Sequence, residues 1–270
     1  MSTFVRRGLA LVAATGTAAA IALTGAGAAQ ASSASYVALG DSYASGVGAG
    51  DYTSAGGDCD VSTAAFPYLW DGANSPSSFS DEACSGATTT DVIDNQLGAL
   101  KSSTSLISLI AGGDNVGFTS VMETCVLDST SSCVSAVDSA ESEAESTLPG
   151  QLDTLYSDIK ADAPNAHVVV LDYADLYDLS ESSGCTGLST TDRTDLNQAA
   201  DTLDGVIATQ AEDYGFTFVD VRPYFAGHEI CDSNAWLHSL NFLDIDESYH
   251  PTASGQADGY YPAFEAGVAK

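Results

Sequence analysis

Four short apolar runs do most to limit the folds open to this chain. Residues 36–39, 105–111, 167–172 and 216–221 are rich in Val, Ile, Leu or Phe, and each ends near Gly, Asp or Pro. Such near-continuous apolar runs suit strands buried on both faces, as in a parallel sheet. Between them, over residues 152–161 and 192–214, apolar side chains recur at three and four positions, the spacing of a helix with one buried side. Strands alternating with helices predict an α/β chain, a three-layer α/β/α sandwich with a mainly parallel central sheet. Residues 129–147 alternate Ser, Ala and Glu and read as an exposed helix running toward Pro149, with solvation its expected role. Residues 50–60 and 178–189 concentrate Gly, Ser, Asp and Thr and read as surface loops. No internal repeat or linker interrupts the pattern, so residues 32–270 are expected to form a single domain.

Residues 1–31 stand apart. Arg6 and Arg7 precede a run of small and apolar residues through Leu23, and Ala29-Gln30-Ala31 offers a small-x-small cleavage site, the composition of a removable export signal. No later run approaches the roughly 20 apolar residues that a spanning helix needs, so a secreted, extracellular protein without stable membrane insertion is expected. Removing that segment leaves Lys101, Lys160, Arg193, Arg222 and Lys270 against 37 acidic residues. Nucleic acid is thereby excluded as a partner, because phosphate contacts rely on clustered Lys and Arg. The acidity reads as a solvated surface that keeps the chain soluble. A structural calcium protein is the weaker reading, since no Asp-x-Asp-x-Asp-Gly loop is present.

Cys59, Cys84, Cys125, Cys133, Cys185 and Cys231 all follow the export segment, where disulfides persist. Six cysteines allow fifteen pairings. Sequential pairing, Cys59 with Cys84, Cys125 with Cys133 and Cys185 with Cys231, is expected because each bridge would staple one long connection. Without a Cys-x-x-Cys pair, no metal site is expected.

Two segments carry chemistry. Gly40-Asp41-Ser42-Tyr43-Ala44-Ser45-Gly46 follows directly on the first strand, at the end of a parallel sheet where open α/β folds place their ligands. Its bland reading is a strand-to-helix turn with Ser42 as a cap. Near the other end lies Glu247-Ser248-Tyr249-His250-Pro251-Thr252. A serine hydroxyl becomes a useful nucleophile when a neutral imidazole stands ready to take its proton, and His250 is the candidate. Glu247, by carboxylate or main-chain oxygen, would fix the ring, with Asp244 and Asp246 as substitutes; a capping histidine before the last helix is the bland alternative. His167 begins a buried strand, and His228 and His238 lie in a cysteine-tied loop without a nucleophile beside them.

With these segments, Ser85-Gly86-Ala87 and Gly112-Gly113-Asp114-Asn115, the sequence resembles the SGNH (GDSL) hydrolase superfamily in its secreted actinobacterial lipase and esterase branch. The resemblance covers residues 36–259. It implies a flavodoxin-like sheet, hydrolysis of carboxylic esters of lipids or small molecules, and no cofactor. It also implies an oxyanion hole built from the Ser42 and Gly86 backbone N–H groups and an Asn side chain. Here the chain departs from pattern, for the family reads Gly-x-Asn-Asp where this sequence has Gly113-Asp114-Asn115. An ionised Asp114 would repel the oxyanion, and loss of one donor costs roughly 3 to 4 kcal/mol; either Asn115 reaches in from a shifted turn, which is the expected solution, or Asp114 is protonated, or the two backbone donors suffice. In the branch without a side-chain acid, a carbonyl just upstream holds the histidine, here that of Glu247 or Ser248, and Glu247 is the named candidate. Phe118, Val121 and Met122, with Trp236, Leu237, Leu240 and Phe242, are candidates to line an acyl groove, with burial in the core the commoner fate of such residues. A monomer is expected. A carbohydrate acetylesterase of the same superfamily and a non-catalytic secreted module are the rival readings.

Overall fold

The computed structural model describes residues 33–180, 185 and 187–270; the export segment expected at 1–31 lies outside them. Five strands form one wholly parallel sheet: β1 (Ser35–Gly40), β2 (Ser78–Asp81), β3 (Leu106–Ile110), β4 (His167–Leu171) and β5 (Thr217–Val219), in the order β2-β1-β3-β4-β5. Four of them fall on the apolar runs. The fifth, β2, is an edge strand of sequence Ser-Phe-Ser-Asp that no apolar run announced, because it is only partly buried and needs no continuous apolar face.

Helices cover both faces. On one side α2 (Phe66–Asn74) packs against α8 (Tyr261–Val268) and the π-helical turn Gly255–Tyr260 before it. Tyr36 of β1 meets Trp70 and Phe264 there, with ring centroids 5.1 and 5.4 Å away, and full burial of each such side chain contributes about 1.5–3 kcal/mol. The other layer holds α3 (Thr89–Asn95), α4 (Phe118–Leu127), α5 (Thr130–Ser146), α6 (Leu148–Asp162) and α7 (Thr190–Asp213). Capping boxes, Thr88 with Asp91 and Ser189 with Asp192, start α3 and α7. The apolar stripe of α6, Leu148, Leu152, Leu155, Tyr156 and Ile159, is buried. α5 does more than solvate: Cys133, Val137 and Ala144 are buried as it packs on α4 and α7. Small residues were enough for that contact, which is why its sequence looked exposed.

Disulfides join Cys59 to Cys84, Cys125 to Cys133 and Cys185 to Cys231. The first closes a loop beside β1, and the second ties α4 to α5. The chain leaves β1 for β2 on one side and then reaches β3 on the other. The carboxyl ends of β1 and β3 therefore flank a topological switch point, the place where a crevice opens in such sheets.

Candidate active site

The turn after β1 is fixed by three neighbours. Gly40 has φ +138°, and a Cβ there would lie 2.2 Å from the Ile110 carbonyl oxygen, so only glycine lets β1 and β3 approach this closely. The buried Gln96 amide grips the Gly40 peptide from both sides, accepting its N–H and donating to its C=O, each at 2.8 Å. Asp41 donates its N–H to the Ile110 carbonyl at 3.0 Å. Its carboxylate accepts the Tyr43 N–H at 3.0 Å and a short hydrogen bond from the Tyr173 hydroxyl, which starts the single-turn helix α1 (Ser42–Ser45). Ser42 is thus presented at the head of α1, and among the described residues its own N–H meets no acceptor.

His250 Nε2 lies 2.7 Å from Ser42 Oγ, and its Nδ1 lies 3.0 Å from the Ser248 carbonyl oxygen. A carbonyl can only accept, so Nδ1 carries the hydrogen, and the unprotonated Nε2 accepts from the serine hydroxyl. Burial drives the His250 pKa down to about 4, against which the Ser248 and Asp246 carbonyls pull upward. The ring is therefore neutral at pH 7. Glu247 does not orient it: its carboxylate accepts a hydrogen bond from the Tyr52 hydroxyl at 2.9 Å, while its carbonyl accepts the His250 backbone N–H at 3.2 Å. The expectation for Glu247 is corrected in favour of the Ser248 carbonyl, because the 3-10 turn Ile245–Glu247 sends that side chain to the neighbouring loop. Asp244 and Asp246 are exposed.

The histidine loop is latched to the serine turn. The Tyr43 hydroxyl donates to the Tyr249 carbonyl at 2.7 Å, and the Tyr43 and His250 ring centroids lie 5.2 Å apart. Tyr249 sits at φ +68°, a conformation that costs on the order of 1–3 kcal/mol and persists only where the surroundings impose it. The backbone pairings of His238 with Tyr249 and His250 impose it here. His238 Nε2 is 2.7 Å from the Gly48 carbonyl, His167 Nε2 is 2.9 Å from Thr217 Oγ1, and His228 stacks on Trp236.

After β3 the structure separates the two exchanged residues. Asn115 is fully engaged: its amide donates to Thr89 Oγ1 at 2.9 Å and Gln151 Oε1 at 3.0 Å, and its oxygen accepts the Thr89 N–H at 2.9 Å. It ties α3 to α6, so the expectation that it reaches the serine is corrected. Asp114 instead lines the same pocket as Ser42. Burial raises the pKa of both Asp114 and Asp41, and each carboxyl also has acidic neighbours, Asp91 for Asp114 and Asp114 for Asp41. Gly86, at φ +75°, follows the Cys59–Cys84 bridge. Its segment is held by the Cys84 N–H on the Gly40 carbonyl and the Ser85 N–H on the Cys59 carbonyl. The Gly86 N–H has no acceptor among the described residues.

From Ser42 an apolar pocket runs between α4, α5 and α7, walled by Val116, Phe118, Val121, Ala144, Leu196 and Leu203. Phe118 and Val121 were expected there. Met122 and Leu237 are buried in the core, Leu240 packs against it, Trp236 stacks on His228, and Phe242 is 83% exposed. Tyr43, Gln96 and Tyr173 were not singled out from the sequence; Tyr173, just past the carboxyl end of β4, stood where such sheets carry functional groups. Among the described residues, no group of three or more His, Cys, Asp or Glu side chains is placed to hold a metal ion, and no helix is long and apolar enough to cross a membrane.

A model of the GDSL-like lipase/acylhydrolase family matches residues 38–257. Lipase 1 of Streptomyces coelicolor is 56% identical over 249 residues, 91% of this chain and 92% of that protein. The crystal structure of phospholipase A1 from Streptomyces albidoflavus NA297 superposes with a TM-score of 0.85 at 51% identity, over 87% of this chain and 99% of that one. The extracellular lipase of Streptomyces rimosus gives a TM-score of 0.85 at 46% identity, over 87% of this chain and 100% of that one.

Proposed function

The chain belongs to the GDSL-like lipase/acylhydrolase family and is a carboxylic ester hydrolase, and on that premise we propose that Ser42 and His250 carry the reaction on lipid acyl esters. The observation that carries the assignment is the 2.7 Å contact between Ser42 Oγ and the unprotonated Nε2 of a half-buried, neutral His250. Ser42 Oγ attacks the ester carbonyl carbon as its proton passes to Nε2. The tetrahedral intermediate collapses to an acyl-serine, and the Nε2 proton leaves with the alcohol. Water then repeats the sequence in reverse, giving its proton to His250 and releasing the acid as Ser42 recovers its hydrogen. Throughout, the Ser248 carbonyl holds the ring and offsets the imidazolium charge. The free N–H groups of Ser42 and Gly86 are the backbone donors to the oxyanion.

The apolar pocket supports a lipid acyl chain as the group bound beside Ser42, in keeping with relatives named lipase and phospholipase A1. An acetyl group on a carbohydrate has no use for such a wall of apolar side chains, which argues against the acetylesterase alternative. A non-catalytic module would have no need of the Ser42–His250 contact. No cofactor enters this reaction. The export segment 1–31, the three disulfides and the extracellular lipase among the relatives support a secreted enzyme with one hydrolase domain over residues 32–270.

The test is hydrolysis of p-nitrophenyl acetate and a long-chain p-nitrophenyl ester by the wild type and Ser42→Ala, with folding followed by circular dichroism. The proposal expects activity that favours the longer ester and a folded, inactive variant. Full activity in Ser42→Ala would overturn the nucleophile, and activity on acetate alone would overturn the substrate class.

A further inference from the structure

Resting on Ser42 as the nucleophile, one position in the pocket calls for a chemistry different from an amide. A developing oxyanion beside Ser42 needs donors, and the amide at position 115 cannot turn toward it without breaking its three hydrogen bonds to Thr89 and Gln151. Of the polar side chains that line the pocket with Ser42, Asp41, Tyr43 and Tyr173 are held by hydrogen bonds to one another or to Tyr249, which leaves the Asp114 carboxyl. An ionised carboxylate there would oppose the negative charge that forms on the substrate, whereas a carboxylic acid presents an O–H to it. We propose that Asp114 is kept as a neutral carboxylic acid in the resting enzyme and donates the side-chain hydrogen bond to the oxyanion.

The groups around Asp114 favour that form. Asp41 and Tyr43 face it from the turn after β1, Asp91 from α3 and Tyr173 from the end of β4, with His250 across Ser42; none of the groups that act on it is a cation. Burial raises the pKa of both carboxyls of the Asp41–Asp114 pair, Asp41 further than Asp114. Asp41 accepts from the Tyr43 and Ala44 N–H groups and the Tyr173 hydroxyl, all of which stabilise a carboxylate. The Asp114 carboxyl accepts no hydrogen bond among the described residues, so an anion there has no donor to stabilise it. Burial acts in the same direction, raising the pKa of Asp114. The Asp114 proton is not transferred during the reaction; it remains on the carboxyl and strengthens one hydrogen bond as the oxyanion forms. Activity then has an alkaline boundary set by Asp114, because raising the pH removes the donor and installs a repelling charge.

The experiment is kcat/KM for a soluble p-nitrophenyl ester from pH 4.5 to 9 in the wild type, Asp114→Asn and Asp114→Ala, with thermal unfolding of each variant as the folding control. The wild type should lose about tenfold per pH unit above the titration of Asp114. Asp114→Asn keeps a donor that does not titrate, so its alkaline limb should disappear and it should exceed the wild type at pH 8–9. Asp114→Ala should be roughly 100- to 1,000-fold slower than Asp114→Asn at every pH while remaining folded. A wild-type profile that stays level to pH 9, or a folded Asp114→Ala that matches Asp114→Asn, would overturn the proposal. Neither result touches the nucleophile, whose own failure is read separately from residual activity in Ser42→Ala.

Discussion

Replacing Glu247 by glutamine distinguishes a backbone-oriented histidine from a carboxylate triad. In a triad, an amide in place of the acid stabilises the wrong tautomer of the imidazole and lowers kcat about 10⁴-fold, or about 5 kcal/mol of transition-state stabilisation. Here the Glu247 carboxylate accepts from the Tyr52 hydroxyl, and the hydrogen on His250 Nδ1 is directed at the Ser248 carbonyl. The substituted amide retains an oxygen able to accept from Tyr52, and the contact belongs to a partly exposed pair, worth on the order of 0.5–1.5 kcal/mol even if lost entirely. None of that energy is specific to the transition state. We therefore expect kcat for a p-nitrophenyl ester to change by less than about threefold, with an unaltered tautomer at His250. The assay is steady-state kinetics on a variant whose circular dichroism matches the wild type. A fall of a thousandfold or more in a folded Glu247→Gln would refute the assignment of the Ser248 carbonyl and restore the carboxylate.

Two further outcomes follow from burial. Burial pushes the carboxyls of Asp81 and Asp175 up to about 7 and about 6, and raises Asp172 as well. The unfolded chain ionises such groups near pH 4 while the folded chain holds their protons longer, so stability falls as pH rises from about 4 to 7. His250, lowered to about 4, opposes this with one group between about pH 6.5 and 4. Tm measured by calorimetry should be higher at pH 5 than at pH 8, and a Tm that climbs over that interval would contradict the burial of these carboxyls. Val121→Trp fills the apolar pocket beside Ser42. It should slow a long-chain ester more than tenfold while changing p-nitrophenyl acetate by less than threefold, and equal effects on both would remove this pocket as the acyl site.

What the sequence revealed follows from where each residue stands. β1, β3 and β4 are buried on both faces, and burial on both faces writes a continuous apolar run. The edge strand β2 is only half-buried and left no such trace. Ser42 and His250 lie 208 positions apart, yet their pairing was legible because a serine hydroxyl needs a base and few histidines were free to serve. Glu247 and Asn115 illustrate the limit: residue types were right for their roles, but which group faces the reaction depends on how irregular backbone turns, around residues 245–248 and 113–115, aim their atoms. Pattern carries no information on that. The same holds for Gln96 and Tyr173, each an ordinary residue whose importance comes from long-range contacts, Gln96 with Gly40 and Tyr173 with Asp41 and Gly113.

Covalent capture reads out whether Ser42 is a nucleophile activated by His250. The folded protein is treated with an alkyl fluorophosphonate, digested, and the modified peptide identified by mass spectrometry. One phosphonylated residue, Ser42, is expected, formed rapidly in the wild type and at least a hundredfold more slowly in His250→Ala. Absence of modification under conditions where the ester is turned over, or a label carried by another serine, would contradict that assignment.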